Sequence, residues 1–171
     1  ISNMNSNLNL EVCICDNNSK GTARKLAEEY QKYFKIIYHV NDKNEGVGKN
    51  IINSVKLATG EYAWILGNDD LILPETLNKL SNLFNENSIV DFFFINSFAI
   101  HSKKILSKKQ PFDSNLLAGM KKIKFSEYSQ NKQVDFFKLV DHKVSWDYML
   151  GIFFTIFKRE MWMFNLSEID S

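Results

Sequence analysis

Hydrophobic positions along the first hundred residues change their spacing repeatedly, and each change predicts a switch between strand and helix. Short apolar runs predict strands at residues 10–15, 36–40, 62–66 and 90–98. Between them, apolar residues three or four apart predict helices, the last of which begins at Pro74. This alternation predicts an α/β fold of the Rossmann-like type, in which helices flank a mostly parallel sheet.

The pattern becomes less regular in the C-terminal part of the chain, about residues 99–171. A lysine-rich hairpin and a helix over residues 126–139 are predicted there. Because a membrane span needs roughly 20 apolar residues, we predict that Gly151–Phe157 forms a buried strand and not an anchor. No repeat or linker divides the chain, so we expect a single domain over residues 1–171, with its regular part at about 10–98.

Composition narrows the class of protein. The net charge of +1 argues against a nucleic-acid-binding protein, because such proteins carry a strongly basic face. Lysines cluster at residues 103–109 and 121–124, which suits either a solvated face or a contact with an anionic membrane or a phosphate. Cys13 and Cys15 lack the spacing of a redox or zinc pair and are expected to be buried thiols. We expect a cytoplasmic protein, with any membrane contact peripheral and at the inner face.

Two adjacent carboxylates, Asp69 and Asp70, follow the third predicted strand. Gly67 and Asn68 supply a turn before them, and ligands of α/β sheets collect at such carboxyl ends of strands. Hard oxygen ligands suit Mg²⁺, Mn²⁺ or Ca²⁺ better than Zn²⁺. Two interpretations remain open for the pair: a metal site, or a loop whose aspartates cap the next helix.

Polar residues also follow the first two predicted strands. Asp16 ends the first strand, and Asn44 and Gly46 follow the second. A parallel sheet would place these residues and Asn68–Asp70 on the same edge. A carboxylate there can accept a hydrogen bond from a base or ribose, and a metal held by Asp69 can neutralise a diphosphate. The three strand ends therefore predict a nucleotide-binding cleft.

Five short motifs occur in order along the chain and carry a resemblance to a known family. They are Glu11–Ser19, Asn44–Gly46, Lys49–Asn50, Ala58–Tyr62 and Leu66–Asp70. In this order and spacing the chain resembles family 2 glycosyltransferases of the GT-A fold, and in particular an abequosyltransferase-like subgroup. The resemblance is good over about residues 10–84 and loose elsewhere. It implies transfer of a sugar from a nucleotide-diphosphate donor to a glycan or lipid-linked acceptor in bacterial-type surface polysaccharide synthesis.

The resemblance also implies roles for single residues. Asp16 corresponds to the aspartate that contacts the base of the donor, and Lys49 to a basic residue near its phosphates. Asp69 corresponds to the ligand of the divalent metal, Mn²⁺ or Mg²⁺, with Asn68 beside it and Asp70 after it. The predicted donor-binding residues are therefore Asp16, Asn18, Asn44, Gly46, Lys49, Asn68 and Asp70.

The catalytic base of an inverting transfer would deprotonate the acceptor hydroxyl. Gly151–Arg159 is similar to the acceptor-side strand that precedes this base in the family, so residues 99–171 are the expected acceptor-side part. The acidic pair that normally provides the base would lie beyond Ser171. Within the chain, Asp147 and Asp141 are the late candidates, and Asp147 is the predicted base.

The chain departs from the family pattern at three places. The first strand of the family would lie before Ile1, the base beyond Ser171, and Gly67 replaces the first acid of the metal motif. We therefore expect a chain truncated at both ends. Two functions remain open: a metal-dependent, inverting glycosyltransferase, and a non-catalytic module that binds a nucleotide-sugar or a partner protein. Titration with nucleotide-sugars and the sequence of the flanking gene would distinguish them.

Overall fold

The computed structural model describes residues 8–19, 21–73, 75–86, 89–100, 117, 123–124, 130–135 and 151–169. Its strands are β1 (Glu11–Asp16), β2 (Lys35–Val40), β3 (Tyr62–Trp64), β4 (Phe92–Phe94), β5 (Phe98–Ala99), β6 (Ile123–Lys124) and β7 (Thr155–Lys158). Its helices are α1 (Thr22–Tyr30), α2 (Val47–Leu57), α3 (Thr76–Glu86) and α4 (Arg159–Ile169). A 3-10 turn, Ile152–Phe154, precedes β7. The α/β class predicted from the hydrophobic pattern is confirmed.

Strands β1 and β2 form a parallel pair in which Glu11 lies opposite Lys35 and Asp16 opposite Val40. Helix α2 packs against β1, and α1 packs against β2. The carboxylate of Glu11 accepts hydrogen bonds from the backbone amides of Thr59 and Gly60, just before β3. This carboxylate therefore ties the start of β3 to the start of β1.

Strand β7 lies between β3 and β4 and runs antiparallel to both, so β3 and β4 are parallel to each other. Successive residues of β7 point to opposite faces of the sheet, as strand geometry requires. Ile156 is 2% exposed and packs on one face, in a cluster of side chains that includes Leu77, Leu80 and Phe93. Phe157 packs on the other face, in a cluster formed by Val55, Ala63 and Ile65 with Ile51 and Trp162. β7 thereby joins the two halves of the hydrophobic core.

The apolar stretch at the C-terminal end was predicted to be a buried strand, and most of it is buried. Thr155, Ile156 and Phe157 are buried in β7, whereas residues 152–154 form the 3-10 turn before it. The strand thus begins later than predicted. Among the described residues, no helix is both long and apolar enough to cross a membrane.

Two predicted elements are wrong. The fourth strand does not run from residue 90 to 98, because it breaks after Phe94 and its continuation, β5, pairs with β6 instead. The Ile95 amide still donates to the carbonyl of Phe154 at 2.6 Å, one residue beyond the last β4–β7 pair, but Phe154 belongs to the 3-10 turn and the ladder ends there. The helix predicted over residues 126–139 is absent from 130–135, and its other residues lie outside the described part. Pro74 and the lysine cluster at 103–109 also lie outside it.

The cysteines of β1 are free thiols, but they are only partly buried, which corrects the prediction of buried thiols. Burial raises the pKa of the Cys13 thiol, with the nearby Glu11 carboxylate acting in the same direction. Burial likewise raises the pKa of the Cys15 thiol, together with the charges of Asp16 and Glu45. Both side chains are therefore protonated, weakly nucleophilic thiols at neutral pH.

Candidate functional site

Asp16 lies at the end of β1 and is only 6% exposed. Its Oδ1 atom accepts the amide hydrogen of Ser19 at 2.6 Å, and Oδ2 accepts hydroxyl hydrogens from Ser19 at 2.9 Å and Tyr38 at 2.5 Å. The hydrogen bond from Tyr38 is the main reason why the pKa of Asp16 is lowered, although burial opposes it. The carboxylate is therefore ionised at neutral pH, and Oδ1 retains an acceptor position for a ligand.

Tyr38 on β2 completes the surroundings of Asp16. In the parallel register Tyr38 lies opposite Ile14, so its side chain points to the same face as that of Asp16, two residues further along β1. Its hydroxyl donates to Asp16, which raises the pKa of Tyr38. The guanidinium of Arg24, on α1, lies 5.2 Å from the centre of the ring, within the range of a cation–π contact. A cation and an aromatic ring therefore stand beside the carboxylate.

The loop between β2 and α2, residues 41–46, is held against the end of β1 by the side-chain amide of Asn17. Its Oδ1 atom accepts hydrogen bonds from the Glu45 amide at 2.8 Å and from Asn41 Nδ2 at 3.1 Å. Its Nδ2 atom donates to Asn44 Oδ1 at 2.9 Å and to the Gly46 carbonyl at 3.4 Å. We call residues 41–46 the donor loop, because it contains the predicted donor-binding residues Asn44 and Gly46.

Asn41 extends this set of contacts to α2. It is 5% exposed, and its Nδ2 atom also donates to Asn50 Oδ1 at 2.9 Å. Asn53 Nδ2 donates to Asn41 Oδ1 at 3.2 Å, and Asn50 Nδ2 donates to the Cys15 carbonyl at 3.1 Å. These contacts connect β1, the donor loop and the first two turns of α2. We call Asn17, Asn41, Asn44, Asn50 and Asn53 the asparagine network.

The start of α2 carries the predicted phosphate-binding lysine. Gly46, which precedes the helix, has a φ of 83°, in the left-handed region that favours glycine. Lys49 Nζ lies 3.0 Å from Glu45 Oε2, and the Lys49 side chain is 62% exposed. Its hydrogen bond to the carboxylate lowers the pKa of Glu45. Lys49 is thus solvent-accessible but already paired, so a phosphate would compete with Glu45 for its charge.

The two carboxylates after β3 lie in a tight turn that begins at Gly67. The Gly67 amide donates to Asp70 Oδ2 at 2.7 Å, and the Asp70 amide donates to the Gly67 carbonyl at 3.3 Å. Asp69 Oδ1 and Asp70 Oδ2 lie 2.8 and 3.0 Å from the point that a Cβ at Gly67 would occupy. Both carboxylates therefore converge on the space that the absent side chain leaves open. The family resemblance had assigned the metal to Asp69 and had placed Asp70 among the donor-binding residues.

This turn offers two carboxylates to a cation and no third acidic, histidine or cysteine side chain. In the described part of the chain, no group of three or more such residues could hold a metal ion. Mg²⁺ is commonly bound by one or two protein carboxylates, with phosphate oxygens and water as its other ligands. Asp69 and Asp70 therefore fit a metal that arrives with a diphosphate.

Comparison with known proteins identifies the family. Residues 2–159 match the family described as "Glycosyl transferase family 2". The chain belongs to this family. Membership confirms the predicted family resemblance and the GT-A-like α/β class. No solved structure gives a significant match to this family 2 chain.

Three relatives show how the match is distributed. The chain is 38% identical over 73 residues to abequosyltransferase RfbV of Salmonella typhimurium, which covers 42% of the chain and 22% of the relative. It is 33% identical over 84 residues to the uncharacterized glycosyltransferase MJ1057 of Methanocaldococcus jannaschii, covering 48% and 29%. It is 29% identical over 77 residues to chondroitin synthase of Escherichia coli, covering 45% and 11%. Each match spans less than a third of the relative's length.

The site residues predicted for a family 2 chain fall into two groups. Asp16, Asn18, Asn44 and Gly46 lie together around the donor loop, where Asn18 Nδ2 donates to the Asp42 carbonyl at 2.7 Å. Asn68, Asp69 and Asp70 form the turn after β3. Within the described residues, no hydrogen bond or ion pair joins the two groups. The predicted base, Asp147, and the alternative Asp141 lie outside the described part.

Sequence reasoning missed the side chains that organise this site. Tyr38 had been assigned only to a strand, and Asn17, Asn41 and Asn53 had no assigned role. The available signal was the repetition of asparagine at residues 41, 44, 50 and 53 on both sides of a strand-to-helix junction. Asparagine both donates and accepts hydrogen bonds, so it can link backbone segments that have no regular pairing.

Proposed function

We propose that this chain is the nucleotide-sugar-binding part of a glycosyltransferase that acts in surface polysaccharide synthesis. Its donor would be a nucleotide-diphosphate sugar, and its acceptor a glycan or a lipid-linked sugar. Membership of family 2 supports sugar transfer in general, and the likeness to an abequosyltransferase and a chondroitin synthase supports polysaccharide synthesis. One observation carries the proposal: two polar groups follow strands of this α/β domain. The first is the donor loop, which is rich in side-chain amides, and the second is the acidic turn of Asp69 and Asp70.

In this proposal the donor loop and the end of β1 bind the nucleotide. Asp16 accepts a hydrogen bond from the base through its remaining acceptor position, while Asn18, Asn44 and Gly46 form the wall of the cleft. Lys49 exchanges its contact with Glu45, 3.0 Å away, for a donor phosphate. A phosphate is a stronger partner for Lys49 than a single carboxylate because it carries more charge and more acceptor oxygens.

Asp69 and Asp70 would hold Mn²⁺ or Mg²⁺ together with the diphosphate. When bound, the metal would neutralise the negative charge that develops on the leaving diphosphate. Asn68 would contact the donor beside it. An inverting transfer also needs a base near the acceptor, and Asp147 remains the proposed residue for that role.

The decisive experiment compares Asp69→Ala with Asp70→Ala in the full-length protein. Binding of UDP and CDP, free and as their glucose conjugates, is measured by calorimetry with and without MnCl₂. We expect Asp69→Ala to abolish the metal-dependent part of binding without loss of fold. We expect Asp70→Ala to have a smaller effect on binding but a measurable cost in stability, because its carboxylate accepts the Gly67 amide hydrogen.

Glu86→Ala, at the exposed C-terminal end of α3, is the control for the loss of one surface carboxylate. A larger loss at Asp70 than at Asp69 would mean that the turn presents the second carboxylate to the metal. Failure of the full-length protein to bind any nucleotide would refute the proposed function. Binding without sugar transfer would identify a non-catalytic module instead.

A lipid-linked acceptor would place the protein at the inner face of the cytoplasmic membrane. We propose a peripheral contact made through the lysine clusters, since anionic lipid attracts such residues within about a Debye length. Flotation of the full-length protein with phosphatidylglycerol vesicles at low and high salt distinguishes this contact from insertion. Electrostatic binding is lost at high salt, whereas binding through an inserted segment is retained.

A further inference from the structure

We propose that Asn17 is a positioning residue of the donor site: it holds the donor loop in its binding shape and does not itself need to touch the donor. The inference rests on the proposed function, because it concerns the shape of the same nucleotide-binding site. It extends that function by assigning the order of the loop to a single side-chain amide.

All of the hydrogen-bonding capacity of the Asn17 amide is used within the chain. The oxygen accepts from Glu45 N and Asn41 Nδ2 at 2.8 and 3.1 Å, and the nitrogen donates to Asn44 Oδ1 and the Gly46 carbonyl at 2.9 and 3.4 Å. A primary amide has two donor hydrogens and two acceptor lone pairs. One side chain directly after β1 thus contacts four residues of the donor loop, which is 24 or more residues away along the chain.

The contact with Glu45 reaches the predicted phosphate site. Asn17 fixes the backbone amide of Glu45 at 2.8 Å, and the Glu45 carboxylate in turn lies 3.0 Å from Lys49 Nζ. Displacement of the Glu45 backbone would therefore shift Lys49 as well as Asn44 and Gly46. A single change at position 17 should accordingly disturb contacts with both the base side and the phosphate side of a donor.

The direction of these hydrogen bonds requires an amide at position 17. The nitrogen of Asn17 faces two acceptors, Asn44 Oδ1 and the Gly46 carbonyl, and Asn44 Oδ1 already accepts from the Gly46 amide at 3.0 Å. If the Asn44 side chain rotated to exchange its oxygen and nitrogen, it would lose the hydrogen bond from the Gly46 amide, so it continues to present an acceptor to Asn17. Asn17→Asp has the same shape but places a negative oxygen against both acceptors. Protonation of the new carboxyl would restore one donor, so the defect should disappear in acid.

Other charged groups surround position 17. On the elements packed around it they are Asp16 on β1, Asp42, Lys43 and Glu45 in the loop, and Lys49 on α2. They are identical in wild type and variant, so the ratio of the two affinities at each pH removes most of their contribution. Asn82→Asp, on an exposed turn of α3, controls for the added charge.

The experiment measures binding of UDP and CDP with MnCl₂ to the full-length wild type, Asn17→Asp, Asn17→Ala and Asn82→Asp between pH 4 and 8. We expect about tenfold weaker binding by Asn17→Asp at pH 7, from the loss of at least one hydrogen bond and the added repulsion. The deficit should shrink toward the wild-type value as the new carboxyl protonates. Asn17→Ala should be weaker at every pH, and Asn82→Asp should match the wild type throughout.

Amide hydrogen exchange without nucleotide provides a second measurement. Exchange at Glu45 and Gly46 should be faster in Asn17→Asp than in the wild type at pH 7 and equal to it in acid. A deficit that does not vary with pH, or unchanged exchange at Glu45, would overturn the inference. If the wild type binds no nucleotide, the proposed function fails. The exchange data then still decide whether Asn17 holds the loop.

Discussion

Glu11 allows a quantitative test of how the sheet of β1 and β2 is joined to the sheet that contains β3. Its carboxylate accepts hydrogen bonds from the Thr59 and Gly60 amides and from the Thr59 hydroxyl, and forms an ion pair with Lys35 at 2.6 Å. Burial alone would raise the pKa of Glu11, but these hydrogen bonds, led by that from Lys35, lower it from 4.5 to about 2. The substitution Glu11→Gln keeps the size of the side chain and removes its charge.

The magnitude follows from the difference between the folded and unfolded pKa values. A lowering from 4.5 to about 2 corresponds to roughly 3 kcal/mol of stability, at about 1.4 kcal/mol for each pH unit. The Lys35 side chain is 61% exposed, however, so solvent screens part of the ion pair. We therefore expect Glu11→Gln to lower the free energy of unfolding by about 2 kcal/mol at pH 7.

The pH dependence has a definite sign. Because the folded pKa is the lower one, the stabilisation is complete above the unfolded value of 4.5 and disappears as pH falls toward about 2. Urea unfolding of wild type and Glu11→Gln at several pH values between 2 and 7 should show curves that converge in acid. Glu29→Gln, an exposed residue on α1, is the matched control. A difference between wild type and Glu11→Gln that is constant with pH would refute the reasoning.

Two further predictions concern the candidate site. Gly67→Ala places a Cβ 2.8 Å from Asp69 Oδ1. The affinity for Mn²⁺ in the presence of UDP should therefore fall about tenfold, with little change in melting temperature. Gly48→Ala is the control, because its Cβ meets nothing within 4 Å, and it should leave the Mn²⁺ affinity unchanged. If Gly67→Ala and Gly48→Ala bound Mn²⁺ with equal affinity, the metal could not lie in the space beside Gly67 on which Asp69 and Asp70 converge. Tyr38→Phe removes the main hydrogen bond that lowers the pKa of Asp16. A carbon-13 NMR titration of the Asp16 carboxyl should therefore give a higher pKa than in the wild type. The free energy of unfolding should fall by about 1–3 kcal/mol. An unchanged titration would show that the Ser19 hydrogen bonds suffice.

Local patterns in the sequence determined where the regular elements of the N-terminal part lie. Strands β1, β2 and β3 occur where short apolar runs predicted them, and α2 and α3 occur where apolar residues recur at helical spacing. These patterns succeed because burial of one face depends on residues that are close in sequence. The same reasoning placed polar residues after each of these strands, including Asp16 and Asp69.

Tertiary structure alone decided which elements pair and which side chains meet. β7 lies between β3 and β4 because Ile156 and Phe157 complete two separate clusters, and nothing near them in sequence indicates this partnership. The broken fourth strand has the same origin, since its partner β7 is preceded by the 3-10 turn that contains Phe154 and offers no further strand to pair with. Long-range pairing is set by packing between distant residues, so local periodicity does not reveal it.

The candidate site shows the same division at the level of single residues. The acidic pair was visible in the sequence, but the turn that directs both carboxylates toward Gly67 depends on a hydrogen bond from its amide to Asp70. Asn17 looked like an ordinary turn residue, and its role appears only because the parallel register of β1 and β2 brings residue 17 beside residues 41–46. Sequence determines which groups can donate and accept hydrogen bonds, whereas the fold determines which of them lie within bonding distance.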